Sequence, residues 1–222
     1  MQDFPIFTTQ SGVASLVLRE VPYKGEAYIT IRDASNPVEL LKECVVFCKT
    51  VGAEHIYATG HPALEEFPLH TTVLKMRIAL ESLPESDAAL FPVTEQTLEQ
   101  WREIYCEKMK SVPNAATMTK EEARKMLQRG DGYFVHRNGT LLGIGMVSGN
   151  TIHAIASVIP GEGAVVLCSL CHGLVQEYAE LEVAAENRKA VRLYERLGFV
   201  RVAEVSRWYN IFEKLKIIKD VK

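Results

Sequence analysis

The stretch that most restricts the fold is residues 181–199, LEVAAENRKAVRLYERLGF. Leu181 and Val183 alternate with polar or small neighbours, the period of a strand. Asn187 stands where a helix N-cap belongs, because its side-chain oxygen can accept from a free backbone N–H of the first turn. Ala190, Val191, Tyr194 and Leu197 then recur at helical spacing. Gly198 ends that helix, since a left-handed residue costs glycine no Cβ clash, and Phe199 opens another apolar run.

Upstream, residues 13–18 and 26–32 read as strands joined through the turn Pro22-Tyr23-Lys24-Gly25. Asn36-Pro37 starts a helix, proline being suited to the first helical position. Its apolar face is Val38, Leu41, Val45 and Cys48, and Gly52 closes it. Residues 55–59 and 71–80 are further strands, so this half has the order β-β-α-β-β. The polar run 81–90, with Pro84, marks a boundary between a smaller domain, 1–88, and a larger one, 89–222.

In the second domain residues 91–93 form a strand, and Thr94 caps a helix over 95–110 that buries Leu98, Trp101, Ile104 and Tyr105. Thr119 with Glu122 has capping-box spacing for a helix that Gly130 stops. Asn138-Gly139 and Gly149-Asn150 punctuate strands at 131–136, 141–147 and 151–158. A last strand covers 200–212, and the tail EKLKIIKDVK reads as a short helix. The fold class is α/β (α+β): a mixed, mostly antiparallel sheet flanked by helices.

Composition narrows the function classes. Twenty-five basic against 28 acidic residues give a net charge of −3, which offers no general field for nucleic acid. No apolar run approaches a membrane span, and the N-terminus lacks the features of a signal peptide. A cytoplasmic protein with reduced thiols is the expectation for its five cysteines.

Residues Asn187, Ala190, Leu193, Tyr194, Gly198 and Phe199 give the string N-x-x-A-x-x-L-Y-x-x-x-G-F after a strand. This resembles the C-terminal signature of the GNAT superfamily, the acetyl-CoA-dependent N-acetyltransferases. The element order of 91–212 is similar to the whole GNAT domain, and residues 1–88 are similar to a half-domain in element order alone. The resemblance implies that acetyl-CoA lies between the fourth strand, ending at Val158, and the fifth, LEVAA. Backbone groups of Ala156, Ser157 and Val158 would take the pantetheine arm. Gly161, Gly163, Ala164, Val165 and Val166 would form the pyrophosphate loop and first helical turn, where free N–H groups favour an anion. Asn187 would touch the pantetheine arm or bound waters. Val158 and Pro160 match the family's loop motif, but Gly163 stands where Arg or Gln is usual, Ala164 and Val166 replace glycines, and Glu162 adds a negative charge.

The resemblance gives Tyr194 the role of protonating the leaving thiolate, which suits a phenol that stays neutral at pH 7. Attack by the acceptor amine would be direct. The usual base positions on the fourth strand are Ile152 and Ala154, both apolar, and His153 has the opposite parity. Glu182, and Glu186 at the end of its strand, are the carboxylates left for that role. The acceptor is then an amine of a small molecule or peptide, and the pattern leaves room for a homodimer. No metal is expected: Cys168, Cys171 and His172 have no second ligand cluster, and an apolar helix explains both thiols. The rival reading is a protein that keeps this fold as a binding or regulatory module without catalysis.

Overall fold

In a computed structural model, which describes residues 5–174 and 177–212, the chain divides into two compact units. One holds the described residues up to Thr72 and those from Val205 onward; the other is Val73–Glu204. The division falls inside two strands. The terminal helix expected beyond 212 lies outside the described residues.

The first unit contains β1 (Ile6–Thr9), β2 (Gly12–Val17), the short α1 (Val21–Lys24), β3 (Glu26–Ala34), α2 (Pro37–Thr50) and β4 (His55–Thr59). The expected hairpin is present as β2 against β3, and β1 adds a strand that the sequence pattern does not announce. Asn36 caps α2 by accepting from the Glu39 N–H at 3.2 Å. Leu40, Leu41, Cys44, Val45 and Cys48 are buried, whereas Val38, assigned above to the apolar face, is 43% exposed. Leu41, Val45 and Cys48 face inward as expected, and the centre of the face moves toward Leu40 and Cys44, which pack with Ala14, Ile29 and Ile56. Tyr209 and Asn210 pair with Ala58 and Tyr57 of β4, which is how the last strand among the described residues enters this unit.

The second unit takes the rest of β5 (Leu69–Ala79), then β6 (Ala89–Pro92), α3 (Leu98–Met109), α4 (Lys120–Arg129), β7 (Gly132–Arg137), β8 (Thr140–Ser148) and β9 (Thr151–Ser157). It continues through α5 (Gly163–His172), β10 (Tyr178–Ala184), α6 (Arg188–Leu197) and the start of β11 (Val200–Asn210). Its strand order is β5-β10-β9-β8-β7-β6. Only β9 and β10 run parallel among these paired neighbours; the others are antiparallel.

Two cores lie on opposite faces of this sheet. Helices α5 and α6 pack with Leu74, Met76, Leu181 and Val183 on one face. Helices α3 and α4 pack with Phe134, Ile144, Ala154 and Ala156 on the other. Trp101 is fully buried there and donates its indole N–H to the Tyr133 carbonyl at 3.0 Å. Helix α3 starts at Leu98 rather than after Thr94, because the Thr94 N–H donates to the Thr97 hydroxyl at 3.0 Å and Thr97 N–H returns to the Thr94 carbonyl at 3.1 Å. That closed turn satisfies groups which a helix cap at Thr94 would have used. The Thr119–Glu122 capping box forms as the spacing implied, and Gly130 ends α4 at φ +70°. Asn138 and Gly139 both have positive φ, 52° and 78°, as a tight hairpin turn requires.

Candidate active site

Strands β9 and β10 pair for only two residues, Glu180 with Thr151 and Leu181 with Ile152. β9 then continues to Ser157 and β10 to Ala184 without each other, while β10 stays paired to β5 along its whole length, from Tyr178–Ala79 to Ala184–Val73. It is β9 that turns away.

The cause is a bulge at the parting point. Met146 faces Ala154 and Val147 faces Ile152, which leaves His153 as an extra residue. A bulge bends its strand and increases the local twist. It also resets the facing of the strand. Ile152 packs with α5 and α6, whereas Ala154 and Ala156 pack with α3 and α4. The two positions considered for a base therefore sit on opposite faces, and His153 is exposed.

Past the bulge β9 has an open edge. The Val158 N–H donates to the Leu142 carbonyl at 2.8 Å. By alternation along the antiparallel ladder Ala156 also turns its backbone groups toward β8, and those of Ile155 and Ser157 turn to the side that β10 has left. Of the three residues expected to hold a pantetheine arm, Ser157 alone presents its backbone to the gap; Ile155 is a further one, invisible without the bulge. The Ser157 hydroxyl donates to the Ile159 carbonyl and shapes the exit from the strand.

That exit is a tight turn. Glu162 N–H donates to the Ile159 carbonyl at 3.3 Å across Pro160 and Gly161, and Gly161 has φ +93°. Proline second and a left-handed glycine third are the residues of a type II turn. α5 starts immediately afterwards, and the N–H groups of Gly163, Ala164 and Val165 have no hydrogen-bond partner among the described residues. Val166 is fully buried and turned onto the sheet over Gly143. Its branched side chain therefore stands away from the amides of the first turn. A Cβ at Gly163 would lie 3.1 Å from the Leu193 side chain of α6, a tight approach.

Glu162 does not cap α5 with its side chain. Its carboxylate instead accepts from the Arg137 guanidinium at 2.6 Å, and Arg137 reaches Asp87 at 3.5 Å. Hydrogen bonding to Glu162 raises the basicity of Arg137 further. Arg137 carries no local signal in the sequence beyond its place before Asn138-Gly139, since its partner is 25 residues away.

Tyr194 is buried in the core of α5, α6 and β10, with its ring 5.8 Å from that of Phe199. Burial pushes its phenol up to about 12. Its hydroxyl has no hydrogen-bond partner among the described residues. Asn187 caps α6 by accepting from the Ala190 N–H at 3.3 Å, and Gly198 ends it at φ +101°.

Glu182 lies on the other face of β10, exposed and opposite Lys75 of β5. Lys75 instead reaches diagonally to Glu180 at 3.6 Å, where Arg77 also binds. The Arg77 hydrogen bond holds the Glu180 carboxyl below the usual carboxylate range. Glu182 has no ion pair among the described residues. The structure thus places Tyr194 and Glu182 on opposite sides of one strand. Cys168 and Cys171 are buried thiols, raised by burial, and the described residues hold no cluster of three or more metal-ligating side chains. No helix among the described residues is long and apolar enough to cross a membrane.

No protein-family model matches the chain, and no curated protein matches its sequence. Solved structures do. A functionally unknown conserved protein from Staphylococcus epidermidis is 13% identical, with a TM-score of 0.58 over 94% of this chain and 93% of that one. A GCN5-related N-acetyltransferase from Sphaerobacter thermophilus is 14% identical, with a TM-score of 0.54 over 90% of this chain and 76% of that one. One from Kribbella flavida is also 14% identical, with a TM-score of 0.54 over 94% and 89%. The parted strands, the bulge in β9 where they part and these likenesses together give one conclusion: the chain has the fold of the GCN5-related N-acetyltransferases.

Proposed function

We propose that the protein is an N-acetyltransferase which takes its acetyl group from acetyl-CoA and passes it directly to an amine. The observation that carries this reading is the gap between β9 and β10, bordered by the open backbone edge of Ile155 and Ser157 and ending at the free amides of α5. An extended amide chain can add to such an edge as a strand would. An anion meets the first turn of α5 on favourable terms, from both its free N–H groups and its dipole. The residues present fit a pantetheine thioester in kind: Val166 leaves the turn clear and Arg137 offsets the Glu162 charge.

Bound there, acetyl-CoA supplies an activated acetyl group. A Ser157 N–H directed into the gap would steady charge developing on its carbonyl oxygen. Tyr194, protonated well above neutral pH, would hold the proton that the departing thiolate needs. Glu182, from the other face, would draw the ammonium of the acceptor and take up its proton. Acid and base on opposite sides of β10 can act on one group lying beside that strand without neutralising each other first. The acceptor is an amine of a small molecule or peptide.

Calorimetric titration with acetyl-CoA tests the reading. Micromolar binding is expected, together with acetylation of an amine panel. No detectable binding at millimolar acetyl-CoA would refute it and leave the fold serving as a binding or regulatory module.

A further inference from the structure

We propose that Arg137 is a positioning residue of the donor site, whose task is to cancel the charge of Glu162 so that a pyrophosphate can approach the first turn of α5. The inference rests on the acetyl-donor reading above and deepens it. Glu162 immediately precedes α5, where the helix field favours negative charge. A loose carboxylate at that place would rival an anionic ligand for the same free amides of Gly163, Ala164 and Val165. The side chain does not turn inward to cap them. It is drawn to Arg137 at 2.6 Å, and both groups are partly sheltered, with side-chain exposures of 29% and 23%.

Arg137 is well fixed for this. It ends β7, paired in register with Thr140 across the Asn138-Gly139 turn, so the hairpin sets its direction. Asp87 holds the guanidinium from a second side at 3.5 Å. The loop itself carries no cation at 163, where a Cβ would begin 3.1 Å from the Leu193 side chain and require it to give by a few tenths of an ångström. Charge balance at this end of α5 is therefore delivered from a different strand. An arginine that gripped the phosphates would be needed whatever residue stood at 162. An arginine that neutralises Glu162 becomes dispensable once that carboxylate is gone.

The experiment is titration of CoA into the wild type, Arg137→Ala, Glu162→Gln and the double variant, with thermal melts to verify that each is folded. Arg137→Ala should weaken CoA about tenfold, as one uncovered charge beside a diphosphate implies. The double variant should return to within about threefold of the wild type, and Glu162→Gln should bind at least as tightly as the wild type. Equal binding by Arg137→Ala, or a loss that persists in the folded double variant, would overturn the inference while the donor reading stands. Wild-type protein that ignores millimolar CoA would overturn both.

Discussion

Val166 occupies the space that Gly143 leaves bare: a Cβ at Gly143 would come within 2.8 Å of the Val166 Cγ2 atom and 2.4 Å of the Ala156 carbonyl oxygen. Close approach of α5 to β8 depends on that missing side chain. Gly143→Ala should therefore destabilise by about 1–3 kcal/mol, or roughly 2–4 °C in Tm for each kcal/mol in a chain of this size. Val166→Ala on the same chain relieves the side-chain contact but not the backbone one. A double variant that melts with the wild type would contradict this account.

Removing the Tyr194 hydroxyl separates chemistry from packing. The oxygen has no hydrogen-bond partner among the described residues, while its ring packs against Phe199. Tyr194→Phe should leave the melting temperature within about 1 °C, since no bond is lost and no cavity forms. Turnover should fall by about 10²-fold or more, with CoA affinity unchanged. Full turnover by the phenylalanine variant would remove Tyr194 from the mechanism.

Alkaline pH should unfold the protein ahead of ordinary expectation. Burial pushes the thiols of Cys44 and Cys171 up to about 12 and that of Cys48 to about 11, and the Tyr194 phenol to about 12. Each folded value lies above that of the unfolded chain, so the native state keeps protons that the unfolded state releases. Their contribution is complete below the unfolded thiol value near 9 and is lost as pH climbs from there toward 12. The loss is several kcal/mol in all, on the order of 1.4 kcal/mol for each pH unit and group. Thermal melts at intervals from pH 7 to 11 should be flat at first and then fall steeply. A Cys44→Ala, Cys48→Ala variant should fall less steeply over the same range; an unchanged slope would exclude these thiols as the source.

Asn187 serves α6 as a cap, so its loss should reach Tyr194 two turns later. Asn187→Ala should cost about 1 kcal/mol, and Asn187→Asp much less, because aspartate can accept the same bond. Chemical denaturation measures both. If turnover falls for Ala but not for Asp, the cap acts through helix order; if it falls equally for both, the amide itself meets the donor.

What could be read from the sequence was local. The Asn187 cap, the Thr119–Glu122 box and the Asn138-Gly139 turn each close within four residues, and all three formed. Thr94 misled because a second threonine at 97 closes a turn of its own. The bulge at His153 left no mark, since it is defined by which residues of β8 lie opposite. Arg137 and Glu162 are 25 residues apart and nothing in either neighbourhood names the other. The fold is thus legible where hydrogen bonds are short-range. Of the proposed donor site, only Tyr194, Asn187 and the loop glycines are legible, because the proposed shape rests on a register shift and the proposed charge balance on a remote strand.

Strand β11 crosses from one unit into the other at Glu204–Val205, and Tyr209 and Asn210 then pair with β4. During synthesis the N-terminal part of the first unit leaves the ribosome first but lacks this strand until the whole second unit, Val73–Glu204, has been made. The edge of β4 meanwhile stands open, as a sheet edge seeking a partner. The usual order, in which the N-terminal part is complete before the C-terminal part emerges, is reversed for its final step. Emergence of residues 205–210, rather than passage of the first unit's own N-terminal segment, sets when that unit can finish folding.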